Sequence, residues 1–400
     1  MILILFYIMA LLLVAETRLE TGFFQWAFIG FFVSIFFYYF IKFIVDARLR
    51  ISTTQYLLIF FVVYMFFNSF IAAGNDILLT DWVSQSRKYL ILLLIFPFDK
   101  FLNQPLRFKT AISTYILAAF FISTYVLLWW VFFKGDSATA GISSTMPIWA
   151  FIILISIIAG HSDSKFGVLG KPLLYFLAGC FLLYLFAESR RTGVIIVITG
   201  VVVTFYIAGK AQGKMACLVG RQRKNKKILA LILFVPIIYG LISTNARFSS
   251  DERMEKSIYS RVAIWYSFIP LFTDNPVLGV GYGYKKTESI IYEDIEVNED
   301  TSPHSLYVDI LAYSGIMGLS IFLLFYLSVL RDAYRAIYSS KSISEIWLFS
   351  GFVGTLISLL VFFVTSSRGA RPEVFTLIAL IASISNNQIL NYKFNKIEDK

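Results

Sequence analysis

The chain is a succession of unbroken apolar runs, and that feature excludes most folds before any motif is read. The runs fall at 1–15, 23–45, 56–73, 83–98, 111–133, 145–160, 172–187, 192–208, 228–243, 304–330, 345–365 and 373–391. A bilayer core about 30 Å thick takes roughly 20 apolar residues per helix, fewer where a segment is buried among neighbours. Backbone in lipid must satisfy its own hydrogen bonds, which leaves helices or closed barrels. Barrel strands alternate in hydrophobicity, whereas these runs are continuous, so helices are expected. Hydrophobic residues make up 58% of the chain and charged residues only 15%, against about 25% charged in soluble domains. The expected fold class is all-α, a polytopic transmembrane helical bundle of about 12 spans. The run that starts at Met1 has no basic flank and no small-residue cleavage pattern, so it reads as a first membrane helix rather than a removable signal.

Charge distribution gives the expected orientation. Cytoplasmic loops collect Lys and Arg. With Met1 inside, connections 46–55, 99–110, 161–171, 209–227 and 331–344 and the tail after 391 hold most of the basic residues, while acids outnumber bases on the opposite side. The stretch from Lys210 to Lys227 is dense in Lys and Arg and holds no acid. Both termini are therefore expected in the cytoplasm. The net charge of +10 reflects this bias, and no nucleic-acid partner is expected. The division that follows is an N-terminal bundle of about nine spans over 1–243, a large non-cytoplasmic loop over 244–303, and C-terminal helices over 304–400, all in one membrane domain.

A loop that long is functional or disordered as a rule, and this one has the marks of order. Ile258, Val262, Trp265, Ile269 and Phe272 recur at helical spacing, which predicts an amphipathic helix lying at the membrane surface. Pro276 ends it, and Gly279, Gly281 and Gly283 suit a tight turn that brings backbone close to another segment. These glycines lack the spacing of a dinucleotide site. No P-loop, zinc-protease helix or four-cysteine site occurs, and Cys180 and Cys217 lie in an apolar span and a basic loop. Neither a metal nor a cofactor is expected.

Only two histidines occur, His161 in a short cytoplasmic connection and His304 where the large loop enters the tenth run. Histidine is well suited to proton transfer near neutral pH, although an interfacial His that packs at a helix start is an equal reading of His304. Arg190 and Arg191 sit in a tight turn on the side where basic residues are disfavoured. Arg261, Arg368 and Arg371 fall on the same side. Guanidinium forks match phosphate oxygens bidentately, so together they suit a lipid pyrophosphate; singly they suit head-group anchors or partners for Glu188 and Glu373. Asp309 is the one carboxylate expected well inside a span, a costly position. Arg87 and Lys88 open the fourth run as further phosphate contacts or as snorkelling anchors.

Three pieces of this chain, in this order, resemble the O-antigen ligase superfamily, which includes O-antigen, capsule and exopolysaccharide polymerases. The first is Ser189-Arg190. The second is Ser260-Arg261-Val262-Ala263-Ile264-Trp265 followed by Asn275-Pro276-Val277-Leu278-Gly279-Val280-Gly281-Tyr282-Gly283. The third is Pro303-His304-Ser305-Leu306-Tyr307 leading to Ser314-Gly315-Ile316-Met317-Gly318-Leu319. The resemblance covers roughly residues 185–330. It implies a metal-independent glycosyltransferase of the bacterial inner membrane, with its site on the periplasmic face and no cofactor. Such an enzyme moves a glycan from undecaprenyl pyrophosphate to an acceptor hydroxyl. The acceptor is lipid A core in a ligase or a second lipid-linked glycan in a polymerase, with the pattern leaning to ligase. It also implies His304 as catalytic base and Arg190 and Arg261 as pyrophosphate contacts; the charged residues read above add Arg191 as a further pyrophosphate contact and Arg368, Arg371, Asp309 and Arg87 as supporting candidates. Two departures stand out: Ser305, where Asn is common, and Arg191, where a small residue is common. A transporter is the rival from another class; it calls for broken helices and midplane charges.

Overall fold

A computed structural model describes residues 52–72, 89, 91–133, 145–160, 165–166, 169–188, 191–215, 251–282, 284, 290–292, 295–297, 303–365 and 372–398. In chain order the elements begin with α1 (Thr53–Ala72), then a 3-10 turn (Ile91–Leu94) running into α2 (Ile95–Phe101). Next come α3 (Pro105–Phe133), α4 (Met146–Gly160), the pair β1 (Lys165–Phe166) and β2 (Leu169–Gly170), α5 (Lys171–Glu188) and α6 (Arg191–Met215). After α7 (Asp251–Tyr266) and α8 (Ile269–Asp274), the pair β3 (Ile290–Tyr292) and β4 (Ile295–Val297) leads to α9 (Leu306–Tyr338), α10 (Ile343–Thr365) and α11 (Pro372–Glu398). Apart from two short antiparallel pairs, the described chain is helical.

Five of these helices are long and apolar enough to cross a membrane, within 106–128, 193–212, 306–338, 343–364 and 373–392. Shorter apolar stretches run over Thr53–Met65, Met146–Gly160 and Lys171–Leu185. The expected spans at 1–15, 23–45 and 228–243 lie outside the described residues.

The middle of the bundle is α10, packed against α6, α4 and α9. Its closeness to α6 comes from small residues. A Cβ added at Gly354 would meet Thr204 Oγ1 and the Gly200 carbonyl, and one at Gly200 would come within 3.0 Å of Ser358 Oγ. Likewise Gly351 lies against Ser156 of α4. Lipid tails are as apolar as leucine, so close backbone approach and dispersion contacts must do what the hydrophobic effect does in water. The pairings 200 with 358 and 204 with 354 run in opposite senses, so α6 and α10 are antiparallel and Arg191 stands at the end where α10 finishes.

Helix α9 is not straight. Gly315 has φ 64 and ψ −172, outside the helical region. Tyr307 and Tyr326 both have ring centroids close to that of Phe363, at 6.2 Å and 5.8 Å. A straight helix would set residues nineteen apart at about 28 Å. The chain therefore turns sharply at Gly315, into a short arm (306–314) and a long arm (316–338). The long arm alone measures about 34 Å, enough to span. The short arm lies across the bundle end. It starts with the Ser305 hydroxyl on the Phe363 carbonyl, 3.3 Å, in the last turn of α10. It finishes at the head of the long arm, which runs antiparallel to α10. This corrects the expected span at 304–330. Apolarity is continuous through 315, so composition does not reveal the corner. Asp309 consequently sits on the short arm and not within a crossing helix.

Candidate functional site

The corner in α9 costs the chain its local hydrogen bonds, and a second segment restores them. In an unbroken helix the Ala312 and Tyr313 carbonyls would accept from Ile316 and Met317. Here they accept from Val280 N (3.1 Å) and Gly281 N (2.9 Å). The released amides of Ile316 and Met317 donate to the carbonyls of Pro276 (2.9 Å) and Val277 (3.3 Å). Residues 276–281 are thus spliced into the helix break, and the backbone groups there are paired as burial requires.

Glycine is needed on both sides of this splice. Gly279 and Gly281 have φ of 72 and 86, a region other residues rarely adopt. A Cβ on Gly279 would come within 2.5 Å of Ser314 N, and one on Gly315 would strike the Val277 carbonyl. From α1, the Tyr64 hydroxyl donates to the Ser314 carbonyl at 2.8 Å and Asn68 Nδ2 to the Tyr313 carbonyl at 3.0 Å. The three glycines at 279, 281 and 283 were expected in a tight turn; the structure shows what two of them pack against.

Above the splice lies a small second core of Ala263, Ile264, Phe268, Leu271, Val280 and Ala312. It fixes α7 and α8 onto the short arm. Helix α7 stops at Tyr266, and Ser267 and Phe268 form a turn before α8. The expected apolar face of Ile258, Val262, Trp265, Ile269 and Phe272 is therefore divided. Val262 and Ile269 are exposed, whereas Trp265 is partly buried and donates its indole N–H to the Pro303 carbonyl at 2.9 Å.

That bond bears directly on His304. Pro303 is buried, and the next residue, His304, has φ 48, the one non-glycine residue with positive φ among those described. Such a conformation costs about 1–3 kcal/mol and persists only where its surroundings impose it. Trp265 holds the carbonyl before the histidine, and Ser305 holds the residue after it. Ser305 is buried and caps the short arm, its hydroxyl accepting from Val308 N at 3.5 Å while donating to Phe363. Ser305 thus has a capping role, whatever an asparagine does there elsewhere. Arg261 precedes Trp265 by one helical turn and shares its side of α7.

Asp309, buried on the short arm, accepts from the Tyr89 hydroxyl at 3.1 Å, which in turn accepts from Tyr282 at 3.1 Å. The Tyr282 ring stacks on Tyr313 at 5.5 Å. Burial, and then the negative charge of Asp309, push the Tyr282 phenol well above its ordinary value, so it remains a donor. Phe375 near the start of α11 packs on Tyr89 at 5.4 Å, and Glu373, two residues before it, is buried. Sequence reasoning missed Tyr64, Asn68, Tyr89, Tyr282 and Trp265. Asn68 had left a trace, as an amide inside an apolar run.

Of the expected site residues, His304, Arg261 and Asp309 are described and fall on the short arm and the helix fixed to it. Arg191 opens α6 at the end where α10 finishes. Arg190, Arg87, Arg368 and Arg371 lie outside the described residues. Among the described residues no group of His, Cys, Asp and Glu is placed to hold a metal.

Residues 148–323 match the family described as O-antigen ligase. That match spans less than half of the chain, and the five helices long and apolar enough to cross a membrane fit a multi-pass membrane protein. No curated protein matches it. Among solved structures, one chain of a complex described as "Structural coordination of polymerization and crosslinking by a peptidoglycan synthase complex" is similar over 83% of this chain and 97% of its own. Its TM-score is 0.44 at 14% identity, too distant to add to what the site shows.

Proposed function

We propose that this protein is a glycosyltransferase that takes a glycan from undecaprenyl pyrophosphate on the periplasmic face and passes it to an acceptor hydroxyl, without metal. The preferred acceptor is lipid A core, as in an O-antigen ligase; a second lipid-linked glycan, as in a polymerase, uses the same chemistry. The inner membrane, with both termini in the cytoplasm, is the expected location. The observation that supports the reading is the Trp265 bond to Pro303, which ties the helix carrying Arg261 to the residue before His304, itself in a left-handed conformation.

The reaction is a single displacement at the anomeric carbon. The acceptor oxygen bonds to that carbon as the bond to the pyrophosphate oxygen breaks, and His304 takes the acceptor's proton. Arg190 and Arg261, with Arg191 in support, meet the charge growing on the leaving pyrophosphate. Arg368 and Arg371 lie in the connection between Phe363, which holds Ser305, and Phe375, which packs on Tyr89, and so are candidates for the same anion. In sequence, Arg87 comes two residues before Tyr89, which belongs to that network. Asp309 positions the short arm through Tyr89 rather than touching substrate.

The broken α9 is the feature that a transporter would also show. Here the backbone groups freed at the break are occupied by residues 276–281, which leaves them unavailable as ion ligands.

The test is purified protein in lipid with an undecaprenyl-pyrophosphate glycan, chelator, and either lipid A core or a second lipid-linked glycan. Extension of core supports the ligase reading, and extension of the lipid-linked glycan supports the polymerase reading. Passage of donor across the bilayer with no new glycosidic bond defeats both.

A further inference from the structure

Helix α7 buries one face in the second core, yet it presents another apolar stripe outward. Tyr259, Val262 and Tyr266 are 45%, 38% and 50% exposed, and Ile269 at the start of α8 continues the stripe. These residues are separate from Ala263, Ile264, Phe268 and Leu271, which are the ones used for packing. The exposed stripe is therefore not spare core.

We infer that this stripe is a membrane-docking surface, seated in the head-group boundary of the leaflet on the His304 side. Continuity is the main support. Exposed Val277 is tied by backbone to exposed Met317, and Ile316 to Pro276. Ile316 and Met317 begin the outward face of the α9 long arm, which carries on through Leu324 and Leu327, both exposed along a helix that crosses the bilayer. The lipid-facing surface thus passes from the long arm onto the spliced segment that follows α8. Composition agrees, since tyrosines favour the boundary, where ring and hydroxyl meet different surroundings. An amphipathic helix lying in that boundary buries its apolar side by about 5–10 Å.

The consequence rests on the proposed function: Arg261, between the packed face and the docked face, is held at the depth of a lipid's phosphate groups. The docking itself does not depend on that function.

The test uses the full chain with Cys180→Ser and Cys217→Ser, reconstituted in phosphatidylethanolamine–phosphatidylglycerol nanodiscs without donor. Val262→Cys, Tyr266→Cys, Leu324→Cys and Thr273→Cys are made singly and labelled with a nitroxide. Leu324 serves as the lipid reference and exposed Thr273 of α8 as the water reference. Collision rates with oxygen, which concentrates in lipid, and with a water-soluble nickel chelate are compared. Labels at Val262 and Tyr266 are expected to favour oxygen as at Leu324, with a several-fold loss of collision with nickel relative to Thr273. Nickel access equal to that at Thr273 overturns the inference. So does dipolar broadening that disappears on dilution with unlabelled protein, because a second copy then covers the stripe. If both labels lie in lipid while the unlabelled chain makes no glycosidic bond in the donor assay described above, the result counts against the proposed function alone.

Discussion

The middle of the bundle and its His304 end are held together by different physics. Around α10, helices meet through Gly200, Gly351 and Gly354, and the contact is one of shape. Many sequences satisfy shape, and packed interiors tolerate exchange if volume is kept. At the other end, the break in α9 is held by directional bonds between particular backbone groups, and each glycine there answers to a positive φ or a close carbonyl. The first region fixes the helices in place; the second fixes the backbone around His304, whose presentation with Arg261 to a substrate is the proposal tested below. Selection for chemistry should therefore act on the second far more tightly than on the first.

The largest expected effect separates chemistry from both. His304→Ala should lower glycan transfer by about 10²–10⁴-fold, the usual contribution of a general base, with membrane insertion and thermal stability unchanged. Wild-type product from that variant removes the histidine from the mechanism.

The next test sets the two regions against each other. Gly315→Ala places a Cβ against the Val277 carbonyl in a left-handed conformation, and Gly354→Ala places one against Gly200 and Thr204. Each should cost about 1–3 kcal/mol. The first should also abolish most transfer and expose residues 276–282 to protease. The second should lower Tm while transfer per folded molecule is kept. Equal loss of transfer in both would erase the distinction.

A finer probe is Trp265→Phe, which keeps the ring and removes the donor to Pro303. One hydrogen bond is worth about 1 kcal/mol, so kcat should fall roughly fivefold while KM for the lipid-linked donor changes little. A change in KM alone would assign Trp265 to binding rather than to positioning His304.

The smallest effect is expected far from the site. Asp99 accepts from Asn386 Nδ2 at 2.8 Å, and burial pushes its carboxyl up to about 6, with hydrogen bonds from Asn386 and Gln55 pulling it back. A raised carboxyl favours the protonated fold, so this stability is complete below the unfolded value near 4 and is lost as pH rises through about 6. Asp99→Asn should therefore add stability on the order of 1 kcal/mol at pH 8, read as a higher Tm, with no difference at pH 4. An increase that is the same at both pH values would show that the carboxyl does not titrate there.

The apolar runs at 56–73, 111–133, 145–160, 172–187, 192–208, 345–365 and 373–391 announce helices that the structure contains, because hydrophobicity along a run is a local property. The glycines at 279, 281 and 283 were legible as a tight turn for the same reason. His304 and Arg261 stood out by rarity and by placement. Their neighbours did not: Trp265 looked like part of an apolar face, and Tyr89 and Tyr282 like ordinary aromatics in or beside apolar stretches.

What the sequence determined by itself is the solvent this protein requires and most of the helices that the structure describes, since each apolar run carries that information within its own length. Only the tertiary structure decided that α9 turns at Gly315, that residues 276–281 complete its hydrogen bonds, and that Trp265 grips the residue before His304. Those outcomes depend on pairings between backbone groups remote in the chain, and a polar group's need for a partner does not name the partner until the fold brings it near.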